Sequence, residues 1–455
     1  MKNQVRFPEL DLLRFLAACG VMLFHYTFRG PLDHAWSATF PVLSQIFKYG
    51  YLGVDVFFIL SGFVILLTAY EKDAIAFAFA RMVRLYPAYW LCVTLTAVAG
   101  VLAGRTSHPI TVGQYSANLS MIHSFFSIRD VSGVYWTLAV ELKFYFLIFL
   151  ILMVRQIPRM SLLLGVWLLA SVLLSLQAPR GVAWFLLFPE WSSYFIAGAM
   201  LFLIYREGVT AYKLSVLAAC FGLSVAHALH LAPAAVGGLD PNLSGPVLVI
   251  LLAVFYLTFL GIALHSRSGV PVAASSWAGR VSKSAYLLGL ITYPLYLIHQ
   301  ELGYIFLRSA PAAMNRYLLL AIVIAAMIGL SWLVHVGPER WVARRLKALP
   351  SRLRRLGLAL KSPVSDAGKF RPKTPLVPEG SPVVEVVSVP FVSARPSVVA
   401  AEPPTGHHPN RAIECRPLPA KAGVPSTLGT PALAGSIASK NLTQTPPNSG
   451  SALTI

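Results

Sequence analysis

Residues 10–26 read LDLLRFLAACGVMLFHY, and the ten uncharged residues FLAACGVMLF at 15–24 separate Arg14 from His25. An α-helix turns 100° per residue, so eleven steps return to within about 20° of the same face, about 16 Å further along the axis. A cation and a titratable base therefore share one stripe of an apolar helix, near its opposite ends. Ionisable side chains within a membrane span are costly and mark function by default. The run is long enough to cross a bilayer and has no small-residue cleavage site followed by a soluble domain. It is expected to be a retained first span.

Composition places the rest of the chain in the same solvent. Of 455 residues, 56% are hydrophobic and 12% charged, with a mean hydropathy of +0.67. A soluble domain carries about 25% charged residues, so the chain is expected to be an all-α integral membrane protein. About ten transmembrane helices are predicted, near 10–28, 50–70, 83–104, 135–154, 160–176, 190–205, 212–230, 245–265, 285–307 and 316–336. Pro179 and Pro189 interrupt the long apolar stretch that holds the fifth and sixth. The net charge of +19 does not predict nucleic-acid binding, because the basic residues flank apolar runs or lie in the tail. Cys19, Cys92 and Cys220 lie in apolar runs and Cys415 in the tail. Neither a metal-ligand spacing nor a disulfide framework results, and no metal is expected.

Basic residues orient the spans. With the N-terminus inside, nineteen Lys and Arg fall on inner segments and seven on outer loops. This predicts a multi-pass protein of a bacterial inner membrane with both termini cytoplasmic. The composition changes near residue 346, and seventeen of the 32 prolines lie beyond it. The expected organisation is a membrane domain over 1–345 and a Pro-rich, disordered cytoplasmic tail over 346–455.

Topology sorts the polar residues by depth. His25, Asp55, Glu141 and His299 fall in the outer half of four different spans, whereas Arg14, Arg81 and Arg84 gather at the cytoplasmic edge. Arg81 and Arg84, three residues apart, share a helix face. With Arg14 they form a candidate phosphate site, since guanidinium groups bind phosphate bidentately. Plainer readings stand beside these: Arg81 and Arg84 as topology anchors, and Arg14 as a partner only for Asp11. The plainer reading of His25 is an interfacial histidine bonded to a carbonyl, that of Asp55 a group near the surface, and that of His299 a packing or surface group. Glu141 needs a neutralising partner, and Lys143, two residues on, faces elsewhere. Ser61-Gly62 reads as close helix packing rather than a nucleophile, and His123 as a solvated loop residue.

The chain resembles the acyltransferase 3 family, the membrane-bound O-acyltransferases of bacterial surface glycans. The resemblance rests on LDLLRFLAACGVMLFHY, GYLGVDVFFILSGFVI, RMVRLYPAYWL, VYWTLAVELKFYFL and AYLLGLITYPLYLIHQ, in that order. It covers about residues 6–340 and is strongest over the first 150. It implies a ten-helix enzyme that takes an acyl group, usually acetyl, from cytoplasmic acyl-CoA (acetyl-CoA) to a hydroxyl of an extracytoplasmic carbohydrate. Residue by residue, Arg14 and His25 match the basic-x10-His motif. Arg81 and Arg84 match the R-x-x-R pair associated with the acyl donor, and Glu141 matches the acidic position. The doubled Glu-Glu-Gln common in the family is replaced by Glu141-Leu142-Lys143, so no second-carboxylate role carries over. No extracytoplasmic esterase-like domain is expected after the membrane part.

The expected mechanism follows the first helix. CoA phosphates are expected at Arg81, Arg84 and Arg14, the pantetheine arm along the Arg14–His25 stripe, and the thioester near His25. His25 is expected to deprotonate the acceptor hydroxyl, with Glu141 or Asp55 orienting the imidazole. An acyl-histidine intermediate serves the same topology. The partners expected are thus acyl-CoA, a glycan or glycoside acceptor and the lipid bilayer. The rival reading is a proton-coupled transporter of a small polar substrate. The absence of repeated halves with paired broken helices disfavours it. A scaffold acting through its tail leaves the intramembrane Arg, His and Glu unexplained.

Overall fold

A computed structural model describes residues 7–355, apart from 33–35, 37–38, 104–109, 178–180, 236–242, 269–275 and 312. From residue 356 the expected tail lies outside the described residues. The long helices are α1 (Pro8–Phe24), α2 (Gly53–Ala69), α3 (Ala74–Ala103), α4 (Trp136–Met153) and α5 (Met160–Ser175). They continue with α6 (Pro189–Glu207), α7 (Ala211–Ala235), α8 (Gly245–Ser268), α9 (Ser276–Ser309) and α10 (Arg316–Val334). Among the described residues there is no strand. With their flanking turns, nine helices in this part are long and apolar enough to cross a membrane. The chain is an all-α, multi-pass membrane protein. The expected ninth span lies in α9, whose 34 residues include Lys283, His299, Glu301 and Arg308 and are more polar than the rest.

Local sequence explains where the helices begin and end. Pro8 at the first helical position and Glu9 and Asp11 in the first turn start α1, where a missing N–H is harmless and negative charge suits the dipole. α1 does not stop at Phe24 but runs into a π turn over His25–Arg29. α3 begins nine residues before its expected start, because AIAFAFA at 74–80 is apolar and small enough to continue the helix. This puts Arg81 and Arg84 inside α3 rather than at its end. Pro189 opens α6 instead of breaking a span: Phe188 turns left-handed just before it, at φ 35°. Gly208, at φ 99°, releases the chain at the other end, a conformation open to glycine without a Cβ penalty.

α6 is the central pillar, and 83% of the most apolar stretch of the span Gly181–Glu207 that contains it is buried. It meets α2 at paired glycines. A Cβ on Gly62 would strike the Phe195 carbonyl, and one on Gly198 the Ile59 carbonyl, so the two backbones touch as small residues allow in membranes. α5 and α8 lie outward. Leu162, Val166, Leu169 and Leu173 form an exposed stripe on α5, and Ile250, Val254 and Leu257 do so on α8. In water such stripes would be aggregation sites, whereas hydrocarbon is their proper solvent. α9 packs between α1, α3 and α10. Gly289 lets α9 approach α1, since a Cβ there would meet Asp11 at 2.8 Å.

Candidate active site

Five helices converge on a cavity of about 290 Å³. Its polar lining comprises Arg14 of α1, Ser61 of α2, Arg81 and Arg84 of α3, and Glu141 and Tyr145 of α4, closed by Tyr293 and Tyr296 of α9. The three-residue spacing of Arg81 and Arg84 sets both on one face of α3. Tyr145 follows Glu141 by one helical turn, and its hydroxyl donates to Glu141 Oε1 at 2.6 Å. Ser61 Oγ donates to the same oxygen at 2.5 Å. Arg14 Nη1 donates to Asp11 Oδ1 at 3.2 Å, and Arg84 Nη1 to Glu339 Oε1 at 3.5 Å. Two donors remain unused, for Arg81 Nε and Tyr293 Oη are buried without a hydrogen-bond partner. Buried donors are rarely left so, because each forgoes its hydration. Three guanidiniums and two idle donors around one cavity suit a ligand rich in anionic oxygen.

The other end of the α1 stripe holds a second cluster. His25 begins the π turn, and its Nδ1 lies 3.1 Å from Tyr304 Oη on α9. Insertions of this kind often mark functional positions in helices. The His299 ring stands beside it, with centroids 5.3 Å apart. His299 Nδ1 donates to the carbonyl of Tyr296 at 2.8 Å, and the Tyr26 hydroxyl donates to the carbonyl of His299 at 2.6 Å. Tyr296 connects the two clusters. It lines the cavity, shares a 3.0 Å hydrogen bond with Thr137, and lies one turn before His299.

The expected residues thus divide. Arg14, Arg81, Arg84 and Glu141 meet in one cavity, whereas His25 and Asp55 are not part of its lining. The shared depth expected for His25, Asp55, Glu141 and His299 brings only the two histidines into ring contact. Glu141 turns towards Ser61 and the arginines instead. Asp55 is buried in α2 away from this lining. Sequence gave depth along each helix, but rotation about the axis decides the neighbour. His123 also departs from expectation: it is buried, with Nε2 bonded to Asp130 at 2.5 Å. The segment 112–131 folds back over it through Asn118, which bonds Arg129 and Val131. Ser61-Gly62 is a packing point at Gly62, as expected, but Ser61 also anchors Glu141. Tyr145, Tyr293, Tyr296 and Tyr304 were not singled out by sequence. Their signal was present, since Tyr145 is four residues after Glu141 and the other three share α9 with His299.

Comparison with known proteins agrees with this helix set. The acyltransferase-3 family, described as an acyltransferase domain, matches residues 7–336. The chain belongs to this family. The relatives include the peptidoglycan O-acetyltransferase OatA of Listeria monocytogenes serovar 1/2a (strain ATCC BAA-679 / EGD-e). It is 29% identical over 202 residues, which cover 38% of this chain and 30% of that protein. Nodulation protein 10 of Rhizobium leguminosarum bv. viciae is 28% identical over 194 residues, covering 36% of this chain and 51% of the relative. The matched stretch therefore spans about half or less of either relative. No solved structure matches the chain. The family membership makes the described helices a membrane acyltransferase domain.

Proposed function

We propose that the enzyme moves an acyl group, acetyl in the first instance, from acyl-CoA on the cytoplasmic side to a hydroxyl of a carbohydrate outside an inner membrane. The observation that carries this reading is the cavity in which Arg14, Arg81 and Arg84 surround the unused donors Arg81 Nε and Tyr293 Oη. CoA presents its phosphates to guanidiniums, which bind them bidentately. The bias of basic residues supports a cytoplasmic location for that end. Relatives named as O-acetyltransferases of peptidoglycan support a glycan as acceptor.

His25 is the base in this reading. Eleven residues of α1 span about 16 Å between the arginine end and the histidine end, the separation a phosphate-anchored, extended thioester arm has to bridge. The acceptor hydroxyl gives its proton to neutral His25 as its oxygen bonds to the thioester carbonyl. The carbon–sulfur bond then breaks, and the proton passes from His25 to the leaving thiolate. General-base assistance of this kind is typically worth about 10²–10⁴ in rate. Glu141 serves the donor end, where Ser61 and Tyr145 hold it among the arginines.

Mass spectrometry of cell-envelope glycans tests the reading, with intact protein and the His25→Ala variant expressed in a strain lacking the gene. An acyl mass is expected with the intact protein and absent with the variant, while the purified variant still binds CoA. Retained turnover in His25→Ala would sink the assignment of the base. No acyl difference between the intact protein and an empty vector would sink the carbohydrate acceptor.

A further inference from the structure

His299 is fully buried, yet only half of its ring is used. Its Nδ1 faces two backbone carbonyls, Tyr296 at 2.8 Å and Leu295 at 3.2 Å. Carbonyl oxygens only accept, so Nδ1 carries the proton of the neutral ring, and the lone pair belongs to Nε2. That Nε2 is buried and bonded to nothing. The histidine ring beside it is His25, with centroids 5.3 Å apart and planes tilted by 51°. Two imidazoles joined by a direct N–H···N hydrogen bond have centroids about 5 Å apart, so the two rings stand close to the separation of such a pair.

The surroundings hold the two rings at this separation. Tyr26, next to His25, bonds the His299 carbonyl at 2.6 Å, and Tyr304, one turn beyond His299, meets His25 Nδ1 at 3.1 Å. Gly303 completes the fit, because a Cβ there would collide with the Tyr26 ring. α1 and α9 are thereby pinned on both sides of the histidine pair. Glu141 does not take this place, being bonded to Ser61 and Tyr145.

We propose that His299 is a positioning residue of the transfer, its bare Nε2 accepting the hydrogen bond of the His25 imidazolium formed when the acceptor hydroxyl loses its proton. The proposal rests on the reading of His25 as base. The proton on His25 Nε2 stays on the bond to His299 Nε2 throughout, which leaves Nδ1, on the Tyr304 side, as the basic nitrogen. Nδ1 takes the acceptor's proton and returns it to the leaving thiolate, so no proton is gained or lost over the cycle. Like the carboxylate of a hydrolase triad, the neutral ring orients His25 at rest and supports the cation once it forms, here without adding a charge.

Paired amide variants of the full-length enzyme test this. His299→Asn keeps a donor for the Tyr296 carbonyl and removes the acceptor at the Nε2 position, whereas His299→Gln restores an acceptor there. Steady-state kinetics are expected to show kcat lowered about tenfold or more in His299→Asn, with the KM for acetyl-CoA within about twofold, and substantial recovery in His299→Gln. Combined with His25→Ala, His299→Asn is expected to slow the residual reaction no further, because it acts through the missing ring. A His299→Asn enzyme within about threefold of wild-type kcat overturns the proposal. So does a loss equal in both amides that adds in full to that of His25→Ala. Should His299→Asn fail to fold, His299→Gln decides by itself, recovery supporting the acceptor role and a loss as deep as that of His25→Ala overturning it. A fully active His25→Ala enzyme refutes instead the reading beneath.

Discussion

Replacing Arg81 by Ala removes the cavity guanidinium with the most unspent hydrogen-bonding capacity. Arg14 already gives a bond to Asp11, and the two side chains are 24% and 25% exposed. Arg84 is 40% exposed and reaches Glu339 at 3.5 Å, so solvent screens it and its share is smaller. Arg81 Nε is buried and idle, placed to donate to a phosphate oxygen without giving up another partner. A hydrogen bond to a charged group is worth about 1.5–3 kcal/mol, or roughly 10- to 150-fold in affinity. The KM of Arg81→Ala for acetyl-CoA is expected to rise within that range, with kcat changed by less than about threefold. Arg81→Lys keeps the charge but loses the planar fork and should recover only part of the loss. The assay is initial-rate kinetics of purified enzyme in proteoliposomes, with acetyl-CoA varied at saturating acceptor and direct CoA binding measured alongside. An unchanged KM with intact folding would return Arg81 to the role of a topology anchor and refute the donor site.

Three further outcomes follow from the same contacts. Gly198→Leu forces a side chain into the Ile59 carbonyl, and thermal unfolding in detergent should show destabilisation at or above the roughly 1–3 kcal/mol typical of overpacking; an unchanged midpoint would refute the backbone contact. Tyr145→Phe removes one of the two hydroxyls on Glu141 Oε1, so kcat/KM for the donor should fall roughly five- to tenfold, about the worth of one hydrogen bond, and an unaltered value would show that Ser61 alone holds the carboxylate. Deleting residues 360–455 should leave transfer by the membrane domain within about twofold of the intact enzyme, whereas lost activity with normal expression would give the tail a catalytic part.

Much of the arginine cluster was legible in the sequence. Arg81 and Arg84 announce a shared face by their spacing, and the basic residue eleven positions before His25 announces a common stripe on α1. The histidine end was legible only in part. His299 was recognisable as an intramembrane ionisable group, but its contact with His25 depends on how α9 lies against α1, and that is set by Gly289, Gly303 and the Tyr26 bond. The pairing of a carboxylate with His25 was plausible by depth and does not form, since Glu141 has hydroxyl partners on its own helix and on α2. His123 shows the same limit in a loop, where Asn118 and Asp130 bury a side chain whose local sequence reads as solvated.

Hydropathy and helical periodicity are local properties. They therefore determined from sequence that the chain crosses a membrane many times, where its helices lie, and that Arg14 and His25 share a stripe at opposite ends of one of them. Which groups meet across helices was decided only by tertiary packing. The Gly62–Gly198 contact and the pinning of α1 to α9 set the rotation of each helix about its axis, and one sequence carries no direct record of that angle. The arginines therefore close around Glu141, Ser61 and Tyr145, while His25 is left with a tyrosine and a second histidine.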